Sequence, residues 1–111
     1  MFGMFRSAKV LTLSPAEANE LLERGEICLV DVREANEWAQ MRIPGAIHAP
    51  LSDLPNLVDM LPTGKPIVFY CLVGMRSVRA LEISQAKGKP HDTHLAGGIK
   101  AWQAAGLPLK A

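Results

Sequence analysis

The sequence has little cysteine and no dominant charge, and both shortages narrow the classes of protein to which it can belong. Two cysteines, Cys28 and Cys71, occur among 111 residues. A disulfide framework is therefore excluded and, because no histidine lies at ligand spacing from either one, so is a structural zinc site. Twelve basic residues oppose eleven acidic ones, and the basic residues form no block. We therefore expect neither nucleic acid nor a membrane surface as a partner.

Long apolar runs are also missing. No stretch approaches the roughly twenty apolar residues that span a membrane. The first ten residues contain no sustained apolar run followed by a small-residue cleavage site, so no signal peptide is predicted. We find no internal repeat and no low-complexity segment. Together with the scarce cysteines, these absences predict a cytoplasmic protein.

What the sequence does contain is an alternation of apolar strands and amphipathic helices. With 49% hydrophobic residues, a chain of this length can bury one core. Ser14 and Glu17 form a capping box that predicts a helix over 15–24, ended by Gly25. Further helices are predicted over 34–40, 54–61, 77–87 and after Gly97, and strands over 10–13, 27–32, 46–49, 67–70 and 93–95. Strands alternating with helices indicate an α/β domain with a mainly parallel sheet.

Cys71 follows the apolar run 67–70 directly and precedes a short loop into the next predicted helix. In such sheets the reactive site lies beyond the carboxyl ends of the strands. Gly74 permits a positive φ, so the amides of residues 72–77 can turn inward and, with Arg76 nearby, stabilise a thiolate. The pattern predicts a nucleophilic cysteine in an anion cradle; the alternative is an ordinary buried cysteine.

Three ordered motifs resemble those of rhodanese domains. The loop 71–77, CLVGMRS, is similar to the active loop of that family, commonly Cys-Arg-Ser-Gly-Met-Arg-Ser. The family's amino-terminal and carboxy-terminal signatures resemble two further segments: LVDVRE at 29–34 with 37–38 and 43–47, and LAGGIKAW at 95–102 with 105–108. Three motifs in order are far more specific than one. We take residues 9–109 as a single rhodanese-like domain and residues 1–8 as an N-terminal extension.

The resemblance implies a fold, a chemistry and a set of site residues. The fold is a central, mainly parallel sheet of about five strands flanked by helices on both faces. The activity is that of a sulfurtransferase: Cys71 takes sulfane sulfur from thiosulfate or a persulfide donor and passes it to a thiophilic acceptor. That acceptor is cyanide in assays and a thiol or a protein in the cell. Neither a cofactor nor a metal is implied. The residues expected to bind substrate are Leu72, Val73, Gly74, Met75, Arg76, Ser77 and Arg33.

Three charged residues have alternative roles. Arg76 either binds the anionic end of thiosulfate or fixes the loop through a carboxylate. Arg33 either reaches the pocket rim and attracts anions or supports the scaffold. Asp31, at the end of a predicted central strand, is expected to be a paired scaffold carboxylate, because a buried carboxylate is costly without a partner.

The loop departs from the family pattern at its start. Leu72 and Val73 stand where basic residues often follow the cysteine, which predicts an apolar rim and favours a persulfide over thiosulfate as donor. Met75 either shields the persulfide from water or fills space. The remaining candidates are expected to be core, packing or scaffold residues: Cys28, Trp38, His48, His94 and Trp102.

Two other functions stay open. A persulfide carrier or sensor would deliver sulfur to a dedicated protein partner with little small-molecule turnover, and the apolar rim motivates it. Phosphatases that share the fold place five residues between Cys and Arg, whereas four separate Cys71 from Arg76. The tighter loop suits a sulfur atom better than a phosphoryl group, which disfavours both the phosphatase and the arsenate reductase.

Overall fold

The computed structural model describes residues 8–111. Residues 1–7, and with them all but the last residue of the predicted N-terminal extension, lie outside the described residues.

Within residues 8–111, five strands form one sheet in the order β1-β5-β4-β2-β3, and the strands pair in parallel. Their bounds are β1 Leu11–Leu13, β2 Cys28–Asp31, β3 Ile47–His48, β4 Ile67–Tyr70 and β5 Thr93–Leu95. All four residues of the central strand β4 are buried, because a parallel sheet is covered on both faces. The predicted α/β fold with five parallel strands is confirmed.

Residues 8–111 also form five α-helices. Four lie between strands, α1 Pro15–Glu23, α2 Ala35–Gln40, α3 Leu54–Leu57 and α4 Met75–Ala86, and α5 Gly98–Ala104 follows β5. The capping box of α1 forms as predicted. Ser14 Oγ accepts from the Glu17 N–H at 3.1 Å, and the Glu17 carboxylate accepts from the Ser14 N–H at 2.9 Å. These two bonds satisfy amide donors that the first turn of a helix leaves free.

Several element boundaries differ from the predictions. The helix predicted from residue 77 begins at Met75, because Gly74 takes a left-handed φ of 110° and serves as N-cap. The single helix predicted over 54–61 is α3 between two 3-10 turns, Leu51–Asp53 and Val58–Met60. Pro55 lies in the first turn of α3, where proline is tolerated. The strand predicted over 46–49 shortens to β3, which pairs only with β2 at the sheet edge.

Helices cover both faces of the sheet, as predicted, and the apolar residues beneath them form two cores instead of the one core expected. The core under α3 and α4 includes Val30, Phe69 and Leu81, and the core under α1 and α5 includes Leu29, Tyr70 and Trp102. Neighbouring residues of a strand point to opposite faces, which divides β2 and β4 between the cores. Cys28 packs at the margin of the α3/α4 core and is half-buried, so it is less enclosed than the sequence predicted.

The first turn of α5 lies against the chain that leaves β4. The N–H groups of Ile99 and Lys100 donate to the carbonyls of Cys71 and Leu72, at 2.9 and 3.1 Å. Gly98 has a φ of 64°, and a Cβ there would lie 2.5 Å from the carbonyl oxygen of Cys71. Only glycine permits this approach, so Gly98 sets the position of the segment after β4.

We expect the substitution Gly98→Ala to lower the free energy of unfolding by about 3 kcal/mol, since it adds a backbone collision to the cost of a left-handed alanine. Gly88→Ala is the matched control. Gly88 has a φ of 78° but open space around the added Cβ, so its loss should be about 1 kcal/mol. Urea denaturation measures both variants. Equal losses would contradict the importance of the contact between α5 and the Cys71 segment.

Candidate active site

Cys71 begins the loop at the carboxyl end of β4, and its side chain is buried at the edge of the α3/α4 core. Its Sγ accepts from the N–H of Gly74 at 3.1 Å and from the N–H of Ser77 at 3.4 Å. The sulfur also lies at the N-terminus of the twelve-residue helix α4, where the helix dipole favours negative charge. Two amides and the dipole together stabilise a thiolate or a persulfide anion.

The direction of these amides follows from the backbone on either side. Because the carbonyls of Cys71 and Leu72 accept from α5, those peptide groups are held away from the sulfur. Gly74 then reverses the chain with its positive φ and starts α4. Of the amides of residues 72–77 expected in the cradle, those of Gly74 and Ser77 donate to Sγ.

Arg76 forms a two-pronged ion pair with Glu37 of α2. Its Nη1 and Nη2 lie 2.7 and 2.9 Å from the two carboxylate oxygens. These hydrogen bonds lower the pKa of Glu37 to about 2, and the same carboxylate raises the pKa of Arg76. Of the two roles open to Arg76, the structure provides the carboxylate that fixes the loop. Sequence reasoning placed Glu37 in a family motif but did not identify it as this partner.

Arg33 and Asp31 form a buried pair at the end of β2. The Arg33 guanidinium donates to Asp31 at 2.8 and 3.1 Å and to the Met41 carbonyl at 2.6 Å. Arg33 is 3% exposed and Asp31 is fully buried. The carboxylate thus has the partner that its burial requires. Both hydrogen-bond partners of the Arg33 guanidinium are scaffold groups, which favours the structural role for Arg33 over an anion site at the rim.

The Asp31–Arg33 pair lies beside Tyr70, whose pKa it influences. Burial, followed by the charge of Asp31, raises the pKa of Tyr70, so the phenol remains protonated at neutral pH. Its oxygen accepts from the N–H of Ile43 at 3.2 Å. Asp31, Arg33 and Tyr70 therefore fix the chain between α2 and β3, on the side of the sheet opposite Cys71.

The rim of the site is apolar on the side of the loop. Val73 is 50% exposed and Met75 79% exposed, whereas Leu72 is half-buried and packs against the α1/α5 core. Met75 therefore does not fill space in a core. We call Val73 and Met75 the apolar lip.

The two histidines at this edge of the sheet have different partners. His48 Nε2 lies 2.8 Å from the Arg33 carbonyl oxygen, and its ring stacks on Trp38 at 4.8 Å between centroids, as expected of a scaffold residue. Nδ1 of His94 lies 2.7 Å from Ser77 Oγ. Sequence reasoning did not find this contact. The contact follows from the register of β5 on β4. That register pairs His94 with Phe69 on the face that α4 covers.

A cavity lies at the edge of the sheet opposite the Cys71 loop. This cavity of about 650 Å³ is lined mainly by residues 58–67 and 88–92 and contains no residue of the Cys71 loop. Within residues 8–111 no three His, Cys, Asp or Glu side chains are grouped so as to hold a metal ion. Over the same part of the chain, no helix has the length and apolarity needed to cross a bilayer.

Known proteins share this fold and sequence pattern. The family model described as "Rhodanese-like domain" matches residues 14–105. A "Sulfurtransferase" of Allochromatium vinosum is 34% identical over 98 residues, covering 88% of this chain and 92% of that protein. The human "Thiosulfate:glutathione sulfurtransferase" is 31% identical over 105 residues, covering 82% and 91%. The crystal structure of a "rhodanese-related protein" from Thermoplasma volcanium has a TM-score of 0.80 at 27% identity, covering 89% and 96%.

The substitution Glu37→Gln should lower the free energy of unfolding by about 1 kcal/mol at neutral pH, because the ion pair is partly exposed. The folded-state pKa of Glu37 is depressed from 4.5 to about 2. The stabilisation is therefore fully present above about pH 4.5 and is lost as the pH falls toward 2. Urea denaturation from neutral pH downward should show the two proteins converging over that window. A difference that is constant with pH would refute the ion pair as its source.

Proposed function

The chain belongs to the rhodanese-like domain family, and we propose that it transfers sulfane sulfur through a persulfide on Cys71. The observation that carries this proposal is the pair of amides from Gly74 and Ser77 that donate to Sγ at 3.1 and 3.4 Å. Donors aimed at one sulfur stabilise negative charge there without reorganisation, which is what a thiolate nucleophile and a persulfide anion both need.

The reaction divides into two steps. The Cys71 thiolate attacks the outer sulfur of the donor, forming an S–S bond while the donor's own S–S bond breaks and sulfite, or the thiolate of a persulfide donor, leaves. An acceptor then attacks the outer sulfur of the Cys71 persulfide. The new bond gives thiocyanate from cyanide or a persulfide from a thiol, and Cys71 returns as thiolate. The sulfur stays beside the same two amides in both steps.

The charges of the site indicate which sulfur donor it prefers. Thiosulfate carries a sulfonate-like end that a free guanidinium would bind. Arg76 is already paired with Glu37, and Arg33 is buried against Asp31. The most exposed residues of the loop are those of the apolar lip, Val73 and Met75. We therefore propose a persulfide as the preferred donor, with thiosulfate as a slower one, so that the thiosulfate sulfurtransferase activity is present but weak.

The acceptor we propose is a thiol, in a small molecule or in a protein. Support for a small thiol comes from the human relative, whose name includes glutathione. The apolar lip favours a second candidate, a persulfide carrier that delivers sulfur to a dedicated protein. Both cysteines of the chain are free, which is consistent with the proposed location in the reducing cytoplasm.

Incubation with a persulfide donor should add one sulfur atom to Cys71, detected by intact-protein mass spectrometry. The variant Cys71→Ser should gain none, because no thiolate remains in the cradle. Cys28→Ser is the matched control and should load like the wild type, since Cys28 is distant in sequence from the loop and accepts from no cradle amide. Absence of loading in the wild type, together with no release of thiocyanate from cyanide, would rule out the function.

Adding a free cation to the lip should improve the use of thiosulfate. We expect Val73→Arg to raise kcat/KM for thiosulfate roughly fivefold, the effect of about 1 kcal/mol from an exposed charge. The neutral variant Val73→Gln should leave it unchanged, and the gain of Val73→Arg should be smaller for a persulfide with an uncharged alkyl group, which lacks the sulfonate-like end. The cyanide assay, run at several salt concentrations, measures this. An equal gain in the glutamine variant would contradict the electrostatic argument.

A further inference from the structure

His94 lies beneath the loop that carries Cys71, yet the reaction proposed above assigns it no part. It is on β5, in register with Phe69 of β4, and is 7% exposed. Its Nδ1 is 2.7 Å from Ser77 Oγ, and Ser77 Oγ is 3.6 Å from Cys71 Sγ. One hydroxyl group therefore links the imidazole to the nucleophile.

The distances around Ser77 indicate which neighbour its hydroxyl donates to and which it accepts from. The hydroxyl carries one proton, and two acceptors lie near it: His94 Nδ1 at 2.7 Å and the Gly74 carbonyl oxygen at 3.2 Å. The shorter contact is with the imidazole. When the hydroxyl donates to Nδ1, its oxygen is free to accept from the Cys71 thiol, which is the donor in the 3.6 Å contact.

The other nitrogen of the imidazole has access to water. Among the side-chain N and O atoms of residues 8–111, only Ser84 Oγ is buried without a hydrogen-bond partner. Nε2 of His94 is not such an atom and has no hydrogen-bond partner within that range, which places it at the exposed part of the ring. Burial lowers the pKa of His94. The imidazole is therefore neutral at neutral pH and able to take up a proton.

We propose that His94 is a positioning residue that draws the proton from the Cys71 thiol through Ser77. The inference rests on the proposed function only in taking Cys71 as the nucleophile. The S–H bond of Cys71 breaks and its proton binds Ser77 Oγ, while the hydroxyl proton of Ser77 moves to His94 Nδ1. The products are a Cys71 thiolate, an unchanged hydroxyl and an imidazolium, which becomes neutral again by releasing the Nε2 proton to water. No electrons are gained or lost.

The residues packed around His94 include few other groups that could make the reactivity of Cys71 change with pH near neutrality. β1 and β4 present Thr12 and Phe69 beside it. The residues that α4 buries are Ser77, Ala80, Leu81 and Ser84, none of which titrates in that range. His91 lies edge-on to Phe69, with 5.8 Å between ring centroids. It lines the cavity that contains no residue of the Cys71 loop, so it serves as the control histidine.

The test measures the alkylation of Cys71 by iodoacetamide against pH, in a Cys28→Ser background so that one thiol reacts. His94→Asn keeps a group that can accept from Ser77 but cannot take up a proton. We expect it to slow alkylation near neutral pH roughly tenfold and to move the midpoint of the rate to higher pH. Ser77→Ala should do the same, and His91→Gln should have no effect.

An alkylation curve of His94→Asn that matches the wild type, in a variant with the wild-type circular dichroism spectrum, would overturn the proposal. If that variant does not fold, Ser77→Ala decides, since it interrupts the link and leaves the imidazole in place. The measurement uses no sulfur donor. A wild type that shows the His94-dependent curve but never forms a persulfide would refute the proposed function alone, and persulfide formation with an unchanged curve would refute the relay alone.

Discussion

The site depends on where the peptide groups after Tyr70 point. The N–H groups of Ile99 and Lys100 hold the carbonyls of Cys71 and Leu72, and Gly74 reverses the chain immediately afterwards. The N–H groups of Gly74 and Ser77 then point at the sulfur. This arrangement needs a bare backbone at Gly98, because any side chain there would collide with the same two carbonyls. The surroundings of Cys71 therefore depend on a contact between the main chain of α5 and the main chain that follows β4.

Electrostatics at the site come mainly from the backbone. The two arginines of the predicted site are each held by a carboxylate, Arg33 by Asp31 and Arg76 by Glu37. Their charges are therefore compensated within the scaffold, and the field at Cys71 comes from the oriented amides and the start of α4. Fixed dipoles of this kind stabilise an anionic sulfur without a guanidinium free of its carboxylate partner.

The features predicted correctly from the sequence are those that depend on residues close together in the chain. The capping box at Ser14, the apolar run of β4 and the strand at 93–95 are local patterns, and the structure has them as expected. The partners of the site were missed because they are distant along the chain. Glu37 lies 39 positions from Arg76, and His94 lies 17 positions from Ser77. Each contact depends on strand order and register, which periodicity does not specify.

Strand order also decides when during synthesis the cysteine acquires its surroundings. β4 is central, and the groups that shape its loop come from both sides of it in the chain: Glu37 before, and His94 and α5 after. A nascent chain that has emerged as far as α4 lacks β5 and the amides of α5. The carbonyls of Cys71 and Leu72 then lack the N–H groups of Ile99 and Lys100, and Ser77 lacks its contact with His94. The surroundings of Cys71 are complete only once the last strand and helix dock.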